Sequence, residues 1–194
     1  MNSNTGMQLL FQRMFHLFYR LPVIWQLKVS TFLVYQKARM MGINIGSGCE
    51  FFGMPKIIMQ PGSNITIGKN CDFRSCRNSN PMLLNHRCVL FTLTPSAQIH
   101  IGHSCGISGV SIGARQKVII GNNVLIGKNS EIMDSDWHPV NSIDKYNGHI
   151  ADKAVIIEDN VFIGMSCIIL KGVHIGRNSV IGAGSIVTRS LPAN

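Results

Sequence analysis

No aspartate or glutamate precedes Glu50, and only nine occur among 194 residues, against 18 lysines and arginines. A formal charge of +9 with so few acids argues for an anionic partner: nucleic acid, an acidic membrane surface or a small polyanion. The basic residues are dispersed and no RNP-like aromatic pattern accompanies them, so nucleic acid is not the expected partner. The six cysteines (Cys49, Cys71, Cys76, Cys88, Cys105 and Cys167) include no C-x-x-C pair, which removes the spacing that zinc sites use. They read as reduced core residues of a cytosolic protein. The N-terminus also lacks the order of a secretory signal, and Arg13, His16, Arg20 and Lys28 interrupt its apolar stretch too often for a membrane span. The expectation is a cytoplasmic protein, with peripheral contact to the inner face of the membrane left open for the N-terminal segment.

What is present is a period. From Val155 to Ser190 the chain divides into the sixes VIIEDN, VFIGMS, CIILKG, VHIGRN, SVIGAG and SIVTRS, with an aliphatic residue third in each: Ile157, Ile163, Ile169, Ile175, Ile181 and Val187. A step of six matches neither the 3.6 of a helix nor the alternation of a half-buried strand. It is the pattern of a parallel β-helix of hexapeptide repeats, in which each six makes one short strand and a turn. Weaker repeats begin at Ile45-Gly46 and return at Ile101-Gly102, Ile112-Gly113 and Ile120-Gly121. Glycines after the aliphatic residues, and Asn122, Asn123, Asn129, Asn160 and Asn178, suit tight corners with left-handed backbone.

Two segments depart from the period. Residues 1–42 form an amphipathic helical segment, Leu9, Leu10, Met14, Phe15, Leu17, Phe18 and Leu21 following helical spacing until Pro22 breaks the pattern and a second stretch runs through Arg39. One or two helices here would cap the open end of the coil, whose strand edges would otherwise be bare, or lie on an anionic membrane. Residues 43–194 are then the β-helix domain. Ile132 and Ile157 are 25 residues apart, one more than four sixes, so a loop at about 133–154 leaves the coil. It carries Trp137, Pro139, Tyr146 and Gly148, and loops on a rigid scaffold are where sites are built.

That loop opens with Asp134-Ser135-Asp136-Trp137-His138-Pro139. With the run from Ile163 to Pro192, this segment resembles the hexapeptide-repeat acyltransferases, a left-handed β-helix family that includes maltose, galactoside and serine acetyltransferases and the O-acetyltransferases of bacterial surface polysaccharides. The resemblance covers Ile43 to the end, and its D-x-H-P form is nearer the sugar and polysaccharide branch. It implies a homotrimer, acetyl-CoA as co-substrate in a groove between subunits, and His138 as general base toward the hydroxyl of a sugar or glycan in surface polysaccharide or glycoconjugate synthesis. Imidazole, with a pKa near neutrality, suits that proton transfer, and no metal is required.

Asp134, Asp136 and His138 are spaced by two, so an extended segment places them on one side. Asp136, weakly preferred over Asp134, would orient the imidazole; either carboxylate would alternatively bind an acceptor hydroxyl or cap the turn. Trp137 would form a platform for a sugar ring or simply pack. The resemblance places coenzyme A along Gly164, Met165, Ala183, Gly184 and Thr188, with Lys171, Arg177 and Arg189 as candidates for its phosphates. Asn85 and His86 are candidate acceptor-binding groups. His100, His103, His149 and His174 are expected to face solvent beside the turns. Other readings are an acyltransferase on an amino sugar or a serine-like acceptor, a zinc carbonic anhydrase-like β-helix, and a non-catalytic scaffold.

Overall fold

The computed structural model describes residues 3–140, 143 and 148–194, with the backbone alone for residues 3–5 and 16–20. Tyr146, singled out in the loop, lies outside the described residues, as do the side chains of His16, Leu17, Phe18 and Arg20.

Every six of the regular region is one side of a triangular coil, and every eighteen is a full turn. Among the described residues three parallel six-stranded sheets result. Face A runs from Asn44–Ile45 through Asn64–Ile67, Gln98–Ile101, Lys117–Ile120 and Val155–Ile157 to His174–Ile175. Face B runs from Glu50–Phe52 through Asp72–Arg74, Gly106–Ser108, Leu125–Ile126 and Phe162–Ile163 to Val180–Ile181. Face C runs from Lys56–Ile58 through Val89–Thr92, Ser111–Ala114, Glu131–Met133 and Ile168–Ile169 to Ile186–Val187. The architecture is the expected left-handed parallel β-helix with a helical N-terminal cap.

Strand register turns the period into a core. Ile67, Ile101, Ile120, Ile157 and Ile175 stack in one column on face A, Phe51, Phe73, Ile107, Ile126, Ile163 and Ile181 on face B, and Ile57, Leu90, Ile112, Ile132, Ile169 and Val187 on face C. All are buried. Each large aliphatic side chain so enclosed contributes roughly 1.5–3 kcal/mol, which is how strands of two or three residues hold together. All six cysteines are free and five are buried. Cys49, Cys71, Cys105 and Cys167 donate to the carbonyls of Gly68, Gly102, Gly121 and Gly182 of the next coil, at 3.0, 3.2, 3.2 and 3.1 Å. At the A–B corner Asn70, Asn123, Asn160 and Asn178 take φ of 57, 55, 60 and 61°, the left-handed turn that asparagine tolerates.

The N-terminal segment is one helix, α1 (Ser3–Met40), which continues through Pro22 where the sequence suggested a break. A proline removes one bond and adds a clash, about 3 kcal/mol, against a 38-residue ladder anchored at its far end. The anchor is the cap: Ser30, Val34 and Ala38 are buried against the first coil. Its free strand edge is filled by side chains of α1, the Phe51 and Gly53 N–H groups donating to Thr31 Oγ1 (2.9 Å) and Ser30 Oγ (3.1 Å), and the Cys49 N–H to Tyr35 Oη (3.3 Å). Three edge donors that a preceding coil would otherwise pair are thereby satisfied.

Candidate functional site

The loop after Met133 leaves the corner between faces C and A on a short antiparallel stem, Ser135 bridging to Asp152. The Asp136 N–H donates to Ala151 O (3.1 Å) and the Lys153 N–H to Asp134 O (2.8 Å). Asp134 anchors the stem: it is fully buried, and its carboxylate accepts from the backbone N–H groups of Arg115, Gln116 and Lys117 at 2.7, 2.7 and 2.6 Å. Of the roles expected for Asp134, an acceptor contact, orientation of the imidazole or a cap on the turn, the cap is the one seen: both its oxygens are committed to the turn of the coil above. Gln116 Oε1 accepts from the Ala154 N–H (2.9 Å), and Arg115 pairs with Asp152 (3.2 Å), so both ends of the loop are fastened to one turn.

At the end of the stem the His138 N–H donates to Asp136 O at 2.7 Å across Trp137, whose φ is +65°. This is the positive-φ form of the γ-turn, rare and strained, and for a bulky aromatic residue it needs support from its surroundings. The Trp137 ring packs on Phe91 with centroids 5.3 Å apart at 38°, yet stays half exposed. Phe91 in turn lies across Gly113, where an added Cβ would come within 2.2 Å of its ring. The glycine that the repeat places after Ile112 is thus what allows an aromatic platform on the outside of face C. His138 is exposed, and among the described residues its imidazole has no hydrogen-bond partner.

Asp136, expected to orient that imidazole, accepts from Lys171 Nζ at 2.5 Å. Lys171, expected to meet coenzyme A phosphates, is therefore tied to the loop from the coil below, and the pair positions the stem beside His138. Arg177 is likewise engaged: its Nε lies 3.7 Å from Glu158 Oε2, and its backbone N–H and the His174 ring hold that half-buried carboxyl below the usual range.

The remaining candidates divide between two corners. Thr188 and Arg189 follow the last strand of face C and share the C–A corner with Lys171 and His138. Gly164 and Met165, and Gly184 with Ala183, occupy the B–C corner, where Met165 O accepts from the Gly184 N–H (2.8 Å). The coils are close there, a Cβ on Gly164 meeting Ala183 N at 2.5 Å, while Gly184, at φ +73°, has open space around it. Asn85 and His86 reach the same B–C corner on an excursion between Arg74 and Val89. Lys128 Nζ donates to Met82 O (2.8 Å) and Leu83 O (3.2 Å), and the Asn85 N–H donates to Asn129 Oδ1 (3.2 Å), folding that excursion down the corner. A single chain therefore does not bring Asn85, Met165 and Ala183 to His138: they flank opposite edges of face C. The expected solvent-facing histidines His100, His103, His149 and His174 are all exposed. Among the described residues no three His, Cys, Asp or Glu side chains converge as metal ligands.

Comparison with known proteins agrees with this architecture. Residues 117–135 and 154–189 match the model of the hexapeptide repeat of succinyl-transferase. The galactoside O-acetyltransferase of Lactococcus lactis is 47% identical over 77 residues, 40% of this chain and 37% of that protein. That of Escherichia coli is 41% identical over 99 residues, 50% of this chain and 48% of that protein. The matches thus span less than half the length of these curated relatives. Among solved structures, the polysialic acid O-acetyltransferase OatWY superposes with a TM-score of 0.63 at 23% identity, covering 77% of this chain and 65% of that one. A mutant of the N-acyltransferase AntD from Bacillus cereus, solved with dTDP and coenzyme A, gives a TM-score of 0.57 at 19% identity over 81% of this chain and 80% of that one. The coil is a left-handed β-helix whose segments 117–135 and 154–189 carry the hexapeptide repeat, and those segments are what this chain shares with the acetyltransferases it resembles.

Proposed function

We propose that the protein is an acetyl-CoA-dependent O-acetyltransferase that modifies a hydroxyl of a sugar or glycan, as in surface polysaccharide or glycoconjugate biosynthesis. One observation carries the reading: the imidazole of His138, without a hydrogen-bond partner among the described residues, stands at the end of a stem fixed by Asp134, Gln116 and the Asp136–Lys171 pair, beside a half-exposed aromatic platform. An imidazole carried on a backbone held in this way can take the proton of an acceptor hydroxyl as that oxygen attacks the thioester carbonyl, with Trp137 beneath the apolar side of the sugar. No residue of the chain needs to carry the acyl group, because the acceptor is the nucleophile.

The division of candidates between the C–A and B–C corners supports a site completed between copies. In a cyclic trimer arranged so that the C–A corner of one chain faces the B–C corner of the next, His138 of one chain would meet Met165, Ala183 and Asn85 of its neighbour. The register-aligned Leu125, Phe162 and Val180 on face B, all exposed, offer apolar surface for such an assembly. Coenzyme A fits the open floor at Gly182, Ala183 and Gly184, which presents no side chain larger than a methyl group. When bound it supplies the acetyl thioester. The test is a panel of sugars, nucleotide sugars and lipid-linked oligosaccharides with acetyl-CoA, followed by thiol release. Acceptor-dependent release is expected, and release at the same rate without any acceptor would contradict the assignment.

A second reading concerns α1. Its Met7, Phe11, Met14, Trp25 and Phe32 are exposed on the side opposite Ser30, Val34 and Ala38, and the helix bears basic but no acidic residues. No helix among the described residues is long and apolar enough to cross a membrane. A broad apolar arc flanked by Arg13 and Lys28 suits a helix lying on an anionic bilayer, which would keep the enzyme at the cytoplasmic face where lipid-linked glycans are built. The full chain is expected to sediment with phosphatidylglycerol-containing vesicles and not with pure phosphatidylcholine, and Phe11→Asp with Trp25→Asp to abolish recovery. Equal recovery with and without anionic lipid, or none with either, would remove this reading.

A further inference from the structure

The excursion between Arg74 and Val89 borders an open pocket of about 700 Å³, lined by Lys56, Ser75, Arg77, Asn85, His86 and Arg87 together with apolar walls. That volume is in the range of small-ligand sites. Its walls are built rather than draped. Leu84 is buried beneath it, Ser75 Oγ accepts from the Cys88 N–H (3.2 Å), and Arg74 binds Ser79 O (2.5 Å) to close the start of the excursion. Lys128 holds the far side through two carbonyls. Gly109, at φ +53°, admits the His86 carbonyl so closely that a Cβ there would lie 2.7 Å from it.

The charges around this opening are of one sign. Lys56, Arg77 and Arg87 are exposed, and among the described residues none has a hydrogen bond or ion pair with another side chain. No carboxylate lines the cavity. Asp72, on the neighbouring strand of face B, is turned to Arg74 at 3.0 Å. His86 Nδ1 lies 2.9 Å from Arg87 O, and since a carbonyl only accepts, that nitrogen carries the hydrogen and Nε2 is left as the free edge. Three unpaired cations sharing one opening repel each other, and an anion bound among them removes that repulsion. Two of the three are guanidinium groups, whose paired donors match a carboxylate or a phosphate.

We infer that this cavity binds the negatively charged group of an acidic acceptor, a glycan carrying carboxylate or phosphate, and so selects charged over neutral sugars. The inference rests on the acetyl-transfer reading for the word acceptor, since the cavity shares the B–C corner with Met165 and Ala183. The binding itself does not depend on it.

The experiment is equilibrium binding to the full chain at low ionic strength without acetyl-CoA, using an oligogalacturonate, a neutral oligosaccharide of equal length and glucose 1-phosphate. The acidic oligosaccharide or the sugar phosphate is expected to bind about tenfold or more tighter than the neutral one, with the preference falling as salt rises. Whichever anion binds tighter identifies carboxylate or phosphate as the source. Arg77→Gln with Arg87→Gln should erase the preference, whereas Arg77→Lys with Arg87→Lys, and Lys56→Gln alone, should each keep part of it. Equal affinity for acidic and neutral probes, or a preference that survives the double glutamine variant, would overturn the inference. Anion preference without acetyl transfer would sink the acetyltransferase reading alone, and transfer without anion preference would sink only this one.

Discussion

Replacing His138 with Ala is expected to lower kcat for acetyl transfer by about two to four orders of magnitude, the range a positioned general base supplies. The effect should fall on kcat rather than on KM for acetyl-CoA, because the imidazole acts on the acceptor hydroxyl and its stabilisation is realised in the transition state. The fold should be untouched. His138 is exposed and its imidazole makes no hydrogen bond among the described residues, so its removal leaves no buried group unpaired. An unchanged melting temperature beside collapsed turnover is the combined result to look for. Turnover within a few fold of wild type, with a verified acceptor, would move the general base elsewhere.

The second large effect is structural and has a different cause. Asp134→Ala removes a buried carboxylate that accepts three backbone N–H groups, and Arg115, Gln116 and Lys117 are then left with unpaired donors away from water. Charge-assisted bonds of this kind are worth roughly 1.5–3 kcal/mol each and are not additive, so a loss of about 3–5 kcal/mol is expected. For a chain of this length that corresponds to a melting temperature lower by about 10 °C. Asp134→Asn, which keeps one acceptor oxygen, should fall between the two. The stem that holds His138 would loosen as well, so activity should drop with stability. A melting temperature unchanged in Asp134→Ala would contradict the anchor assigned to this residue.

These expectations show which parts of the molecule the sequence encodes locally. The inward residues from Ile157 to Val187 were readable because a short strand must return the same kind of side chain to the core every six residues, whatever surrounds it. The break between Ile132 and Ile157 was readable for the same reason. The register cannot slip by one within a closed coil, so the extra residue had to leave with its neighbours. The continuity of α1 through Pro22 was not readable, since docking of Ser30, Val34 and Ala38 outweighs one proline and is visible only once the first coil exists.

Pairings around the loop were also hidden. Asp134 and Asp136 look alike in sequence, two residues apart in one motif. Only the turn at Arg115–Lys117, a full coil earlier, makes one of them an anchor, and only Lys171, a coil later, claims the other. The same holds for Lys56, Arg77 and Arg87, which share a cavity because Lys128 folds the excursion between them down the corner. Phe91 carried no signal of its own, although the glycine at 113 that admits its ring was part of the repeat. Such contacts depend on how irregular segments fold back over distant coils, and no period records that.

The proposed acetyl-transfer site joins the C–A corner of one chain to the B–C corner of another. It is tested by mixing two inactive variants, His138→Ala and Ala183→Trp, in equal amounts under conditions where subunits exchange. If each site draws His138 from one copy and the floor at Ala183 from its neighbour, random assembly restores about a quarter of wild-type turnover. Mixed assemblies that form and stay inactive would place both corners' functions within a single chain and contradict a site shared between copies.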